Sequence, residues 1–362
     1  MSLPSGLAAS AGFATETVQG TAQTPTHFLE FNSETMKMGK KTKTGVGLRG
    51  GGLYQRNSRR VVTNWAPAGG LNFDAPFNGL GLWLQHMLGG FGTFSSAVQQ
   101  ATTAAYLQTI TPGPLTGKTG TLQIGKPDSG GTVRPFTYTG AKVSDWTITS
   151  ELADLVKFQL NFDAWQELTP DNPQGTTAGP ALTSPTYTTG EQFFHFTQGV
   201  IYNGGTLSNT GSSPVITSLA TPTTAGYIKK IEIKGTNKLD TERYFFGGAG
   251  GSTVPGVKGD QLENNFRDIG GSLDIEFASL SAYYDTFAAD TTSTLELLFT
   301  GPIIASTYAY TLAVLIPDIK FDGESPNVGG PGVVNTSMPF SGYDGETYNP
   351  IQFQYMTTDT TF

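Results

Sequence analysis

The sequence predicts a mainly β protein, built as two tandem β-sandwich or barrel domains, each with one flanking α-helix. Three observations predict it. The 362 residues include 47 Gly and 21 Pro, and long Lys, Glu or Leu runs are missing, which is the composition of many strands and turns. Several segments alternate apolar and polar residues with period two, most clearly LVKFQLNFDAW at 155–165. A strand–helix plan at 69–90 is echoed about two hundred residues later, at 270–290.

Taken in order, residues 1–26 are Ala, Gly, Thr and Ser with little apolar patterning, and read as an extended N-terminal arm. Trimming residues 1–20 is expected to leave a soluble subunit or ring that polymerises poorly. The first domain is assigned to 27–167. It opens with a strand, HFLEFNS, followed by a long glycine-bearing loop at 34–60 that runs into a strand at Arg60–Trp65. In the stretch 69–90, Leu71 and Phe73 alternate with Asn72 and Asp74 as in a half-buried strand. Pro76 suits a first helical position, and Phe77, Leu80, Leu84, Met87 and Leu88 make one apolar stripe before Gly89-Gly90 stop the helix. Strands are expected at 106–112, 119–125, 133–140, 141–151 and 155–165.

Residues 168–190 are rich in Pro, Gly, Thr and Ser and read as a linker. A second domain, 191–362, repeats the plan. YIKKIEIKGTNKL is a strand, Leu273, Ile275 and Phe277 alternate with Asp274 and Glu276, and a short helix places Leu280, Tyr283 or Tyr284, and Phe287 on one side. Strands TLELLFTG, YAYTLAVLIPDIKFDG and VVNTSMPFSGY follow. The match is one of pattern, not identity, and it reads as a tandem duplication.

The charge is unevenly placed. The net charge is −8, yet no Asp or Glu lies between Thr35 and Val62, which hold eight of the 21 basic residues. Lys40, Lys41, Lys43, Arg49, Arg56, Arg59 and Arg60 are nominated from that segment as contacts to another copy of the chain. A basic segment on an acidic body can dock on its own kind. A nucleic-acid stripe is the weaker reading, because Tyr54 is the segment's one aromatic and the rest of the chain repels phosphate.

Little in the sequence points to chemistry. There is no cysteine, so no disulfide framework or thiolate metal site. His27, His86 and His195 are scattered without metal or general-base spacing. Gly117-Lys118-Thr119 lacks the glycine and the helix of a phosphate loop. The loop acids Asp322-Gly323-Glu324 and Asp344-Gly345-Glu346 have no motif around them. No catalytic, cofactor or metal residue is nominated, and the chain is not expected to be an enzyme. The N-terminus lacks the apolar core of a signal peptide, and no apolar run reaches the roughly 18 residues that span a bilayer.

With these residues laid out, the chain resembles the major tail tube proteins of long, flexible-tailed bacteriophages. The likeness lies in an ordered series covering most of the chain. Gly12-Phe13-Ala14-Thr15-Glu16, Gly20-Thr21 and Pro25 resemble the family's N-terminal arm. The basic segment ending Arg59-Arg60 sits where the family has a long loop, and the stretch ending Met87-Leu88-Gly89-Gly90 resembles its strand–helix element. Thr139–Val143, Phe158–Trp165, Arg243-Tyr244, Ile316-Pro317-Asp318 and Pro331 onward continue the series.

The resemblance implies a structural subunit whose rings stack into a tube, a conduit for viral DNA ejection, in the virion tail after assembly in the host cytoplasm. Each ring has a closed inner barrel. Single-domain relatives close sixfold rings, so a duplicated chain is expected to form homotrimeric, pseudo-hexameric rings, the homohexamer being the alternative. Tail tip, tape measure and terminator proteins are the implied partners. DNA passes without specific binding, and no membrane is involved. Asp74, Asp163, Asp274 and Glu276, read as outward-facing strand acids, are the nominated lumen residues. The competing reading is a secreted β-rich glycan-binding module or glycoside hydrolase drawing an acid pair from the loops.

Overall fold

A computed structural model describes residues 5–92, 95–171, 178–211, 213–247, 254–280 and 283–362. The first half contains β1 (Ser10–Thr15), β2 (His27–Leu29), β3 (Ser33–Glu34), β4 (Lys40–Thr44), β5 (Arg60–Trp65) and β6 (Ala68–Asp74). Helix α1 (Gly81–Leu88) follows, then β7 (Ser95–Gln99), β8 (Tyr106–Ile110), β9 (Gly120–Pro127), β10 (Val133–Glu151), β11 (Lys157–Asp163) and β12 (Gln166–Leu168). The second half contains β13 (Gly199–Asn203), β14 (Thr206–Asn209), β15 (Ile216–Ala220), β16 (Thr223–Thr224), β17 (Ile228–Thr236) and β18 (Asp268–Glu276). Helix α2 (Tyr284–Ala288) precedes β19 (Ser293–Ala305), β20 (Tyr308–Phe321), β21 (Asn335–Tyr343) and β22 (Gln352–Thr357).

The strand pairings repeat. In the first half β1 pairs with β2, β3 with β6, β6 with β11, β11 with β10, β10 with β9, and β9 with β1. In the second half β13 pairs with β16, β17 with β18, β18 with β21, β21 with β20, β20 with β19, and β19 with β13. With β2 and β3 taken as one broken strand, and β16 and β17 as another, each half is a ring of six positions in the same chain order. The likeness extends further. β12 follows β11 and pairs with β10, as β22 follows β21 and pairs with β20. Each ring carries its helix between the third and fourth strands, and a long loop before the third, at 35–67 and 237–267. All these pairings are antiparallel, and the chain is mainly β as the composition implied.

The two rings are joined. The second half of β10 pairs with β11 on one edge and with β17 on the other, Trp146 lying opposite Gly235 and Ile148 opposite Ile233. One antiparallel sheet therefore runs β3–β6–β11–β10–β17–β18–β21–β20. At the far side, β22 lies between β20 and β8, tying the C-terminal strand to the first half. The hydrophobic interior is correspondingly continuous. Phe13, Trp83 and Phe162 of the first half share one cluster with Ile231, Leu273, Phe299 and Phe340 of the second.

Several local features differ from the pattern reading. Part of the arm is core: in β1, Ala11 and Phe13 are buried, and Phe13 packs against Trp83 and His86. Its glycine- and alanine-rich sequence lets it lie between β2 and β9 with little apolar patterning of its own. The strands at 133–140 and 141–151 are one bent strand. The bend is at Gly140, whose φ is +64° and where a Cβ would come within 2.3 Å of the Trp165 ring. Helix α1 begins at Gly81, not Pro76, because Pro76 is bridged to Phe193 and the Phe77 amide donates to Gln192 O at 2.9 Å. All eight of its residues are buried, so the helix is enclosed on every side and not only along its apolar stripe. The Asn237 amide group donates to Met87 O at 3.0 Å and Arg267 to Leu88 O at 2.9 Å, satisfying carbonyls at its C-terminus. The second helix is only five residues long, and Leu280 is exposed. The linker 168–190 falls partly outside the described residues, at 172–177.

Candidate interaction surfaces

Four surfaces follow from this arrangement. The first is the polar face of the joined sheet. Along β11, Phe158, Leu160 and Phe162 are buried while Lys157 and Gln159 are exposed, and the neighbouring strands keep the same alternation. Asp74 lies opposite Lys157 and Asp274 opposite Lys230, while Glu276 takes Lys229 at 2.6 Å. Three of the four acids nominated for this face thus lie on it. Asp145, Glu151 and Glu232 share it, as do Lys230 and Lys234. Asp145, Glu151 and Glu232 were not nominated, because their place on this face depends on the pairing of β10 with β17, which joins segments about 80–90 residues apart. The face is mixed in sign, with Lys230 3.8 Å from Glu151 and Lys234 3.8 Å from Glu232.

Asp163 does not lie on that face, and its expected outward orientation is corrected. It ends β11, where residues 257–261, from the long connection between β17 and β18, cross the first half and cover it. Its carboxylate is 5% exposed at the residue level, 2.6 Å from Lys258 Nζ, and accepts from Gln261 Nε2 at 2.9 Å. Burial raises its pKa, while Lys258 and Gln261 oppose the rise. This clamp is the second surface. Lys142, also buried, pairs with Asp260 at 2.5 Å and donates to Gln261 O at 2.8 Å. Gln261 Nε2 also donates to Gly140 O, and Trp165 Nε1 donates to Gln261 Oε1 at 2.9 Å. Glu263 accepts from the Leu115 amide at 2.6 Å. Charged groups this deep persist only when paired and hydrogen-bonded, and here they are. Nothing in the sequence marks this pairing, since its partners are 95–119 residues apart.

The third surface is the hairpin β4–β5 with its tip at 45–59. It is the counterpart of the clamp loop, but it stands out from the body. Lys40, Lys41, Lys43, Arg49, Arg56 and Arg60 are exposed and Arg59 is half-buried. Arg59 donates to Gly47 O within the tip. Lys41 pairs with Glu242 at 2.9 Å; among the described residues the other six make no ion pair. The base of the hairpin rests on the second half, through the Trp65 amide to Gly256 O at 2.8 Å and Tyr244 OH to Trp65 O at 2.6 Å. The tip is apolar as well as basic: Leu48, Leu53 and Tyr54 are more than 90% exposed. Their spacing among glycines was the available signal.

The fourth surface is the pair of ends of the joined sheet. At one end, the outer edge beyond β3 is capped by side chains: the Met36 amide donates to Glu34 Oε2 at 2.8 Å, and Lys126 Nζ donates to Met36 O at 3.1 Å. At the other end, β21 pairs with β18 along its length but with β20 only from Phe340 to Tyr343, so its outer edge from Asn335 to Pro339 carries no strand.

Of the histidines, His86 is buried between Phe13 and Phe91, bonded to Thr15 Oγ1 at 2.8 Å, and burial lowers its pKa to about 3. His27 and His195 bond neighbouring threonines. Among the described residues no group of three or more His, Asp and Glu is placed to hold a metal ion, and no helix is long and apolar enough to cross a membrane.

A search of curated proteins finds no match to the chain. A family model, described as phage tail tube protein, matches residues 6–342, which takes in both six-strand rings and both long loops. A match over nearly the whole chain places this mainly β protein, with its repeated rings and exposed hairpin, in the phage tail tube protein family as a structural component of the virion tail.

Proposed function

We propose that the protein assembles into homotrimeric rings that stack into the tail tube and conduct DNA during ejection. The observation that carries this is the join between β10 and β17. It makes one eight-stranded sheet from two equivalent four-stranded sheets, β3–β6–β11–β10 and β17–β18–β21–β20. A domain that meets its twin through that edge within one chain has the same edges available at the chain's two ends. Where single-domain relatives close a ring of six, three such chains suffice, and closure leaves no free edge.

In this reading the polar face of the joined sheet lines the bore, with Asp74, Asp274 and Glu276 on it, joined by Asp145, Glu151 and Glu232. Acids outnumber lysines there, so the wall repels a phosphate backbone, and at physiological salt this repulsion reaches about 8 Å. The basic, apolar-tipped hairpin carrying Lys40, Lys41, Lys43, Arg49, Arg56, Arg59 and Arg60 contacts the adjacent ring. The tube ends meet tip and terminator proteins, the bore holds the tape measure protein before DNA, and assembly takes place in the host cytoplasm. Native mass measurement and class averages of end-on particles test the stoichiometry. Three chains and six-lobed rings are expected, and six chains per ring would overturn it.

A further inference from the structure

The internal repeat permits a residue-by-residue statement about how two copies meet. Leu71 pairs with Leu160, and Leu273 with Met338, so Asn161 and Pro339 are counterparts. Asp145 pairs with Asn161, and the Asp322 amide donates to Pro339 O at 2.8 Å, so Asp322 stands where Asp145 stands. Beyond that point the halves diverge. β10 continues for six residues to Glu151 and takes β17, while β20 has ended and 322–330 runs on without strand pairing. On the receiving side, Glu34 pairs with Leu71 and Ile231 with Leu273, so Met36 is the counterpart of Ile233.

We propose that residues 322–328 become an extension of β20 when two copies join, pairing antiparallel with residues 33–39 of the neighbouring copy. The inference rests on the ring reading above. Transferring the register of β10 on β17 sets Ser325 opposite Met36, as Ile148 is opposite Ile233, and Glu324 opposite Lys37, as Thr147 is opposite Lys234.

Three independent details agree with this register. Hydrogen-bonding groups alternate along a strand, and the Thr35 and Lys37 amides already point inward, to Gly70 O and Ala68 O, leaving those of Met36 directed outward. On the donor segment the Asp322 amide points to β21, so Ser325 is directed to the junction, where it meets Met36. The side-chain bonds that Glu34 and Lys126 now make to Met36 occupy the places of the ladder bonds and are displaced by them. Pro326 falls at a position directed away from the junction, where its missing amide costs the new ladder nothing. Finally, Glu324 of the donor segment falls opposite Lys37 of the receiving edge, a complementary pair, while Glu34 on that edge already has Lys126 at 2.9 Å. Gly323 takes the place of buried Trp146, and its position faces the core, where a Cβ would come within 2.1 Å of Met338 Sδ.

Hydrogen exchange on protomers and on assembled rings tests this directly. Amides of Ser325, Asn327 and Met38 are expected to exchange freely in the protomer and to be protected in the ring. Rings in which these amides stay unprotected overturn the strand extension while leaving the ring reading intact; absence of rings under all conditions overturns both. A charge-swap pair adds a second readout. Lys37→Glu sets like charges opposite each other and is expected to raise the half-assembly concentration by roughly fivefold per junction at low salt, and Glu324→Lys on that background to restore it. No effect of K37E, or no rescue, overturns the register. Ser325→Pro removes a junction amide and is expected to abolish rings, whereas Gly329→Pro, outside the paired stretch, keeps them; rings from S325P overturn the proposal.

Discussion

Removing the Asp163 carboxylate should destabilise the protomer by about 3–5 kcal/mol, the cost of leaving a buried cation without its partner. Lys258 is 1% and Asp163 7% exposed at the side chain, and their 2.6 Å contact is the centre of the clamp between loop 237–267 and the first half. In Asp163→Ala, Lys258 loses its counter-ion and Gln261 one acceptor, with no solvent route to replace either. Unfolding entropy of roughly 2.1 cal/mol/K per residue gives about 0.76 kcal/mol/K for 362 residues, so the expected drop in Tm is about 4–7 °C. The double variant Asp163→Ala with Lys258→Met removes both charges and should recover most of that loss, because a buried pair is weakly stabilising as a whole but costly to halve. Calorimetry or chemical denaturation of the protomer measures both. A single variant within about 1 kcal/mol of wild type, or a double variant no better than the single, would refute the reading of this contact as a sealed, paired clamp.

Other outcomes follow from the same structure. Reversing Arg56, Arg59 and Arg60 to Glu alters only the projecting hairpin, so protomer stability should stay within about 0.5 kcal/mol while ring stacking at low salt is lost; normal tubes by negative stain would exclude the hairpin as an electrostatic contact. His86 is neutral in the fold because burial lowers its pKa to about 3, so the folded state binds fewer protons than the unfolded chain. Its contribution is complete above pH 6.5 and is lost as pH falls toward 3, about 2–3 kcal/mol by pH 4.5. His86→Gln should flatten that part of the stability–pH curve, and an unchanged slope would show the imidazole is not responsible. Deleting residues 1–20 removes β1 and exposes the edges of β2 and β9, so the expectation of a soluble subunit is replaced by one of aggregation; a soluble, cooperatively unfolding product would contradict this.

How much was legible depended on how local the controlling interaction is. β11 was read correctly because Phe158, Leu160 and Phe162 set the period within seven residues. The echo of 69–90 in 270–290 held at the level of strand order, since Leu71 and Leu273 occupy the same ring position. β22 went unread although Phe353 and Tyr355 alternate with Gln352 and Gln354; the burial of Gln352 against the Ile216 backbone is set by a segment 136 residues away and has no local signal. What distant segments decide was not legible. Asp163 alternates correctly in sequence and is still covered, because Lys258 and Gln261 arrive from the second half. The start of α1 shifted because residues 192–194 claim Pro76 and Phe77 first.

The inequality of the two halves is itself informative. In the second half the long loop is sealed onto the first half by buried ion pairs, while its counterpart in the first half ends in an exposed tip of cations and apolar side chains. The end of β10 has its strand partner in β17, while the corresponding stretch after β20 has none. A monomer selected for solubility would blunt both features. A chain that satisfies each joint once internally, and leaves the matching half of the same joint at its two ends, has the form required of a subunit that adds head to tail. With a rotation between neighbours that closes, head-to-tail addition terminates in a ring rather than a fibre. In the proposed ring the open edge beyond β3 and the unpaired segment after β20 are two sides of one joint, and occupying the β3 edge with a synthetic peptide of residues 321–329 should arrest assembly at the protomer.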